Sequence, residues 1–346
     1  MTTLPRPLGL PDFPWDLLIP FKDRARAHEG GICDLSVGTP VDATPDFVRE
    51  ALAEASDAHG YPTVIGTEEV RRAILHWAAS RHMVDVGTGG VIPTIGSKEA
   101  VAWLPKLLGV RPGDTVLIPE VAYPTYDVGA RLAGAVAVPV DPRRPQTWPD
   151  AEFVWLNTPG NPDGHVLSPD ELRAVVGWAR PRGAVVASDE CYAALPWSAP
   201  YTDEGVPSLL DARVCDGDAS GLLVLYSLSK QSNMAGYRAA LLVGDPRLVG
   251  AVVEVRKHAG LMVPGPVQHA MTRALVEGTH VAAQRAVYGR RRARMAQGLE
   301  AAGLELDADT AAGLYLWACD PEAASPDSWD LVSRFAGAGI LVAPGD

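Results

Sequence analysis

The chain has 346 residues, a hydrophobic fraction of 47%, and 30 basic against 42 acidic side chains, for a formal charge of −12. That length is generous for one core and suits two unequal domains. The acidic balance, with no basic run interleaved with aromatics, argues against a nucleic-acid-binding surface, and four scattered cysteines with no CxxC pair encode neither a zinc ribbon nor a redox dithiol.

The first forty residues are proline-rich and irregular, and read as an arm that packs on something else. Prolines interrupt MTTLPRPLGLPDFPWDLL where a signal peptide needs a continuous apolar segment. No apolar run reaches membrane-spanning length. With the unpaired cysteines, this predicts a reduced, cytoplasmic setting.

Residues 45–56 and 67–80 carry helical periodicity. Thr67 followed by Glu68 and Glu69 is a helix start, a capping hydroxyl and then acids in the first turn. From residue 91 the pattern alternates. VIPTI, TVLIP, AVAVPV, FVWLN, AVVASD, LLVLYS and AALLVG are strands. SKEAVAWLPKLL, TYDVGARLAG and SPDELRAVVGWARPRG are helices, the last capped by Ser168 and ended near Gly183. Short strands apolar on both faces, alternating with helices, predict an α/β fold with a mostly parallel central sheet between helices. After residue 246 the chain turns helical for about fifty residues, and GLYLWA and GILVA are later strands. The expected organisation is an arm and part of a small domain over 1–40, a large domain over 41–248, and a small α+β domain over 249–346.

Ligands of open α/β sheets bind beyond the carboxyl ends of the strands, and most of the polar residues that stand out lie there. Lys230 follows LLVLYS, with Ser227 before it and Arg238 after it. A lysine can form a Schiff base with the aldehyde of pyridoxal 5'-phosphate, while hydroxyl and guanidinium groups hold its phosphate. Gly96, Ser97 and Lys98 open a helix whose N-terminus favours phosphate. Asp189 ends a strand, where a carboxylate can keep the pyridine nitrogen protonated. Tyr192 can reach the phenolic oxygen. Asn161 sits in N-x-P-x-N-P-x-G, where two turns hold its amide rigidly. Tyr123 can lie on the ring face. Taken singly, each has a plain structural alternative: a solvated lysine, a capped helix, a core tyrosine, a turn. Together they supply an amine, an anion, phenolic donors, a flat group and a phosphate cup.

In order and spacing these residues resemble the class I/II aminotransferases of pyridoxal phosphate fold type I. LPDFPWDLL, DLSVGTPVD, GYPTVIGTEEVR, IGSKEAVAWLP, SDECYAALPW and RKHAGLMVPGPVQHAM are similar to the actinobacterial N-succinyldiaminopimelate aminotransferases of lysine biosynthesis. The resemblance implies a 2-oxoglutarate-dependent aminotransferase in which Lys230 also shuttles the substrate proton. It implies a homodimer in which Tyr61 reaches the partner subunit's phosphate, and a Gly38 backbone that contacts the substrate carboxylate. Arg256, Lys257 and His258 are candidate cations for an acidic substrate.

Two departures stand out. Asp163 occupies the third place of a motif that usually reads N-P-T-G. The chain also stops at GILVAPGD, so a further strand with a carboxylate-binding arginine, and a final helix, are expected to be missing. Either the chain is a truncated form or the tail is left out of the sequence, and if the tail is absent the expectation is cofactor binding with poor or no transamination. Other readings are a broad amino-acid aminotransferase, a C–S lyase of the same fold, or a non-catalytic effector sensor. VGTGGV lacks dinucleotide-binding spacing, and no G-x-S-x-G elbow exists.

Overall fold

The computed structural model describes residues 9–323 and 327–345. Seven strands form the central sheet in the order Val91–Ile95, Ala239–Gly244, Leu222–Ser227, Val185–Asp189, Phe153–Asn157, Thr115–Pro119, Val136–Val140. Ala239–Gly244 runs antiparallel to both neighbours, and the other pairings are parallel. All seven expected strands are present, in a mostly parallel sheet.

Side-chain alternation along these strands feeds two cores. Ile92, Phe153, Trp155, Ala187, Leu223 and Leu225 pack under the helices Gly96–Leu107, Thr125–Ala133 and Pro246–Ala259. Val154, Leu156, Val186, Val224, Tyr226 and Leu241 pack on the other face, against residues of Glu68–Ser80, Pro169–Ala179 and Gly265–Val276. Successive strand residues point to opposite faces, so both must be apolar. Each fully buried valine or leucine contributes roughly 1.5–3 kcal/mol.

The helix starts follow local chemistry. The Thr67 hydroxyl accepts the Val70 N–H, and Ser168 forms a capping box with Glu171 ahead of Pro169. Thr125–Ala133 ends on Gly134 in the left-handed region, at φ 80°.

The outer segments are smaller. Cys33–Asp34 pairs in parallel with Ile340–Leu341, and Glu305–Leu306 pairs antiparallel with Ala318–Cys319. Leu18, Val332 and Leu341 form a separate cluster that ties the start of the chain to its end. The first forty residues are not wholly irregular: Ile19–Arg26 is a helix with Pro20 in its first turn, a place where proline is tolerated. Residue 249 does not coincide with a break in packing, because Pro246–Ala259 contacts Gly96–Leu107 and Gly265–Val276 contacts the helices Asp46–Glu54 and Glu68–Ser80. Of GLYLWA only its last residue is in a strand, since Gly313 and Tyr315 turn inward to bond Leu195 and Gly38.

Candidate active site

The sheet register places the polar residues at one edge. Asn157 pairs with Asp189 at the ends of adjacent parallel strands. Ile95 pairs with Ala239, and Ser227 with Ala240. The strand that enters the sheet at Ala239 therefore draws Gly96, Ser227 and Arg238 to the same end.

Asp189 lies at the floor of this edge and is 7% exposed. Its Oδ1 accepts the Cys191 N–H at 3.1 Å and its Oδ2 accepts the Tyr126 hydroxyl at 3.2 Å. Burial pushes the carboxyl above its usual range, against the pull of those hydrogen bonds. Among the described residues no cation pairs with it. A buried, unpaired carboxylate is costly, and a protonated ring nitrogen would supply the missing charge.

Lys230 sits in the short helix Leu228–Gln231, which Ser227 caps by accepting the Ser229 N–H. Its Nζ donates to the Gly38 carbonyl. Burial lowers the Lys230 ammonium below the ordinary lysine value, and the Arg238 charge adds to that lowering. The result favours the neutral amine, the form that attacks an aldehyde. Gly38 is held from its other side, since its N–H donates to the Tyr315 hydroxyl at 2.9 Å. A Cβ on Gly38 would stand 2.9 Å from that same oxygen, so glycine is what permits the approach.

The anion cup is built from three strand ends. Gly96 opens its helix at φ 73°, and a Cβ there would come within 2.2 Å of Arg238 Nη2. The helix has no side-chain cap at its start, which leaves its opening N–H groups for an anion. Arg238 is itself left-handed, at φ 56°. This costs roughly 1–2 kcal/mol and turns the guanidinium toward Gly96. The Ser227 and Ser229 hydroxyls bond one another at 2.8 Å. A phosphate fits this arrangement of N–H, hydroxyl and guanidinium donors.

Lys98 is divided. Its backbone opens the helix, but its ammonium stands over Tyr123, Phe13 and Trp15, at 5.7, 5.0 and 6.0 Å from the ring centroids. Tyr192 is buried, and its phenol is pushed well above the usual value by burial. Asn161 is held by its own N–H, which donates to Asn157 Oδ1 at 2.7 Å. Tyr61 is 100% exposed.

Sequence reasoning missed Tyr126 and Asn157. Asn157 Nδ2 donates to the Asp189 carbonyl at 3.0 Å, so it ties Asn161's turn to Asp189's strand. The doubled asparagine motif was a signal for it. Tyr126 lies three residues after Tyr123, edge-on to it at 6.0 Å. Its position on the apolar face of a helix marked it as core, and its hydroxyl is buried with it. Arg256 is not a substrate cation: it is 1% exposed and pairs with Glu99 at 2.7 Å. Glu99 also accepts the Ile95 N–H, so the pair steadies the start of the cup helix.

The family model "Aminotransferase class I and II" matches residues 31–334. The chain is 50% identical over 336 residues to the 4-dedimethylamino-4-oxo-anhydrotetracycline transaminase OxyQ of Streptomyces rimosus, covering 97% of this chain and 91% of that protein. It is 49% identical over 339 residues to the probable aminotransferase Rv1178 of Mycobacterium tuberculosis, covering 98% and 79% respectively. Among solved structures, a probable N-succinyldiaminopimelate aminotransferase from Thermus thermophilus superposes with a TM-score of 0.85 at 27% identity, covering 96% of this chain and 91% of that one. Enzymes of this family use pyridoxal 5'-phosphate, which the cup and the unpaired carboxylate fit. The chain belongs to the class I and II aminotransferases.

Proposed function

We propose that this aminotransferase moves an amino group from N-succinyl-L,L-diaminopimelate to 2-oxoglutarate, in lysine and diaminopimelate synthesis in the cytoplasm. The observation that carries the site is Asp189, buried and without a cation among the described residues. The likeness to the Thermus protein supports the substrate.

When bound, pyridoxal phosphate supplies an aldehyde for the amine and an electron-withdrawing ring. Gly96, Ser97, the Lys98 backbone, Ser227 and Arg238 hold the phosphate. Asp189 keeps the ring nitrogen protonated, and Tyr126 and the Cys191 N–H orient its carboxylate. Asn161 and Tyr192 would supply donors to the phenolic oxygen, and Tyr123 would offer a flat group to the ring. Lys230, with its lowered proton affinity, would accept and return a proton at the substrate Cα. Gly38 presents its backbone to the substrate carboxylate. Full exposure of Tyr61 supports a homodimer in which it completes the partner's phosphate site.

The likeness to OxyQ favours a second reading, a polycyclic ketone as the acceptor. Half-reactions decide between them. The loaded protein is offered N-succinyl-L,L-diaminopimelate and, separately, its amino form is offered a polycyclic ketone. Loss of the yellow absorbance with the first is expected. Inertness toward it, with turnover of the ketone, would refute the first reading. Sedimentation of the wild type as a monomer would remove the role given to Tyr61.

A further inference from the structure

The turn that presents Asn161 carries the unusual Asp163, and Asp163 does not stand alone. Its Oδ2 lies 3.2 Å from His165 Nδ1, while His165 Nε2 lies 2.7 Å from Asp307 Oδ2. The carboxyl of Asp163 is pushed up by burial, and that of Asp307 is held below the usual range by its hydrogen bonds with Asp309 and His165 despite some burial. The same segment is sewn to the turn by backbone. Thr310 Oγ1 donates to the Asp163 carbonyl at 2.6 Å, and the Ala311 and Ala312 N–H groups both reach the Gly164 carbonyl at 3.0 Å. A few residues further on, Tyr315 accepts the Gly38 N–H, and the Gly38 carbonyl accepts Lys230.

We infer that His165 is a positioning residue, a strap that sets the Asn161 turn against the segment carrying Tyr315 and so fixes the spacing of the two sides of the site. The inference rests on the proposed function for its catalytic consequence, but not for its geometry. A neutral imidazole donates from one nitrogen only, whereas an imidazolium donates from both. His165 Nε2 is within hydrogen-bond distance of Asp307, its Nδ1 faces Asp163, and its backbone N–H donates to Asp163 Oδ1 at 3.2 Å. The other charges facing it are Asp309, whose carboxylate is within 4.8 Å of the cluster, and Arg143, which lies 3.6 Å from both Asp309 and Glu171.

The test compares wild type with His165→Phe and Asp307→Asn, and with Asp163→Thr, which restores the commoner turn residue. In the apoprotein, His165→Phe and Asp307→Asn should each melt below the wild type, because each removes one side of the bridge. In the loaded enzyme, all three variants should raise KM for the amino donor by about fivefold or more with kcat changed less. Variant apoproteins that melt with the wild type, or loaded variants with wild-type KM, would overturn the strap. If His165→Phe does not fold, Asp163→Thr and Asp307→Asn carry the same tests. Failure to bind pyridoxal phosphate at all would defeat the proposed function and leave the apoprotein measurement to judge the strap.

Discussion

The floor and the rim of this site are built differently. On the floor, Asp189, Ser227 and Ile95–Gly96 are set by strand register, one ladder step from a neighbour. At the rim, Gly38, Tyr315, Lys98 and the arm residues Phe13 and Trp15 meet through single side-chain contacts. A ladder fixes a residue through many coupled hydrogen bonds, while a side-chain contact can be lost alone. Changes at Asp189 and Lys230 should therefore act on chemistry, and changes to the anion cup or the rim on affinity.

Lys230→Ala should break this comparison most plainly if it is wrong. Activity is expected to fall by at least about 10³-fold, and borohydride followed by peptide mapping should find no pyridoxyl label. A label on another lysine would end the assignment.

Asp189→Asn comes next. It should lower kcat on the order of 10²–10³-fold while the cofactor stays bound. Its apoprotein should also reveal the sign of the buried charge. Because burial raises the folded pKa of Asp189, the folded apoprotein binds this proton more tightly than the unfolded chain. Its contribution makes apoprotein stability decline as pH rises from the unfolded carboxyl value through the folded one. Melting curves of Asp189→Asn should lack that decline, and an unchanged pH dependence would count against the buried charge.

Gly96→Ala drives a methyl group into Arg238 and strains a positive φ. Cofactor affinity should drop roughly tenfold or more, with kcat at saturating cofactor nearly preserved. Equilibrium titration of the absorbance would measure it. Lys98→Gln is the smallest. If its ammonium only holds the aromatic arm, worth about 0.5–1 kcal/mol, cofactor affinity should change by no more than about fivefold. A loss as large as that of Gly96→Ala would place the ammonium in the cup instead.

The floor was also the more legible in the sequence. Strand runs, the Thr67 and Ser168 caps, and the intervals linking Asp189, Ser227, Lys230 and Arg238 are local patterns, and the register turned them into a site. Tyr126 and Asn157 escaped because their roles come from partners distant in sequence: helical Tyr126 meets the carboxylate at the end of the Val185–Asp189 strand, and Asn157 meets that residue's carbonyl. Arg256 read as a candidate cation for an acidic substrate, yet tertiary packing buries it on Glu99. The direction of the Lys98 side chain could not be read at all, since it depends on where the irregular arm comes to rest. Asp163 stood out only as a departure, because its partner Asp307 is joined to it through His165 rather than by proximity in the chain.

The antiparallel insertion of Ala239–Gly244 between Val91–Ile95 and Leu222–Ser227 has a consequence during synthesis. The amide end of the anion cup leaves the ribosome long before its guanidinium, and nothing joins them until that strand slides between its neighbours. A nascent chain arrested before Ala239 should therefore fail to bind pyridoxal phosphate.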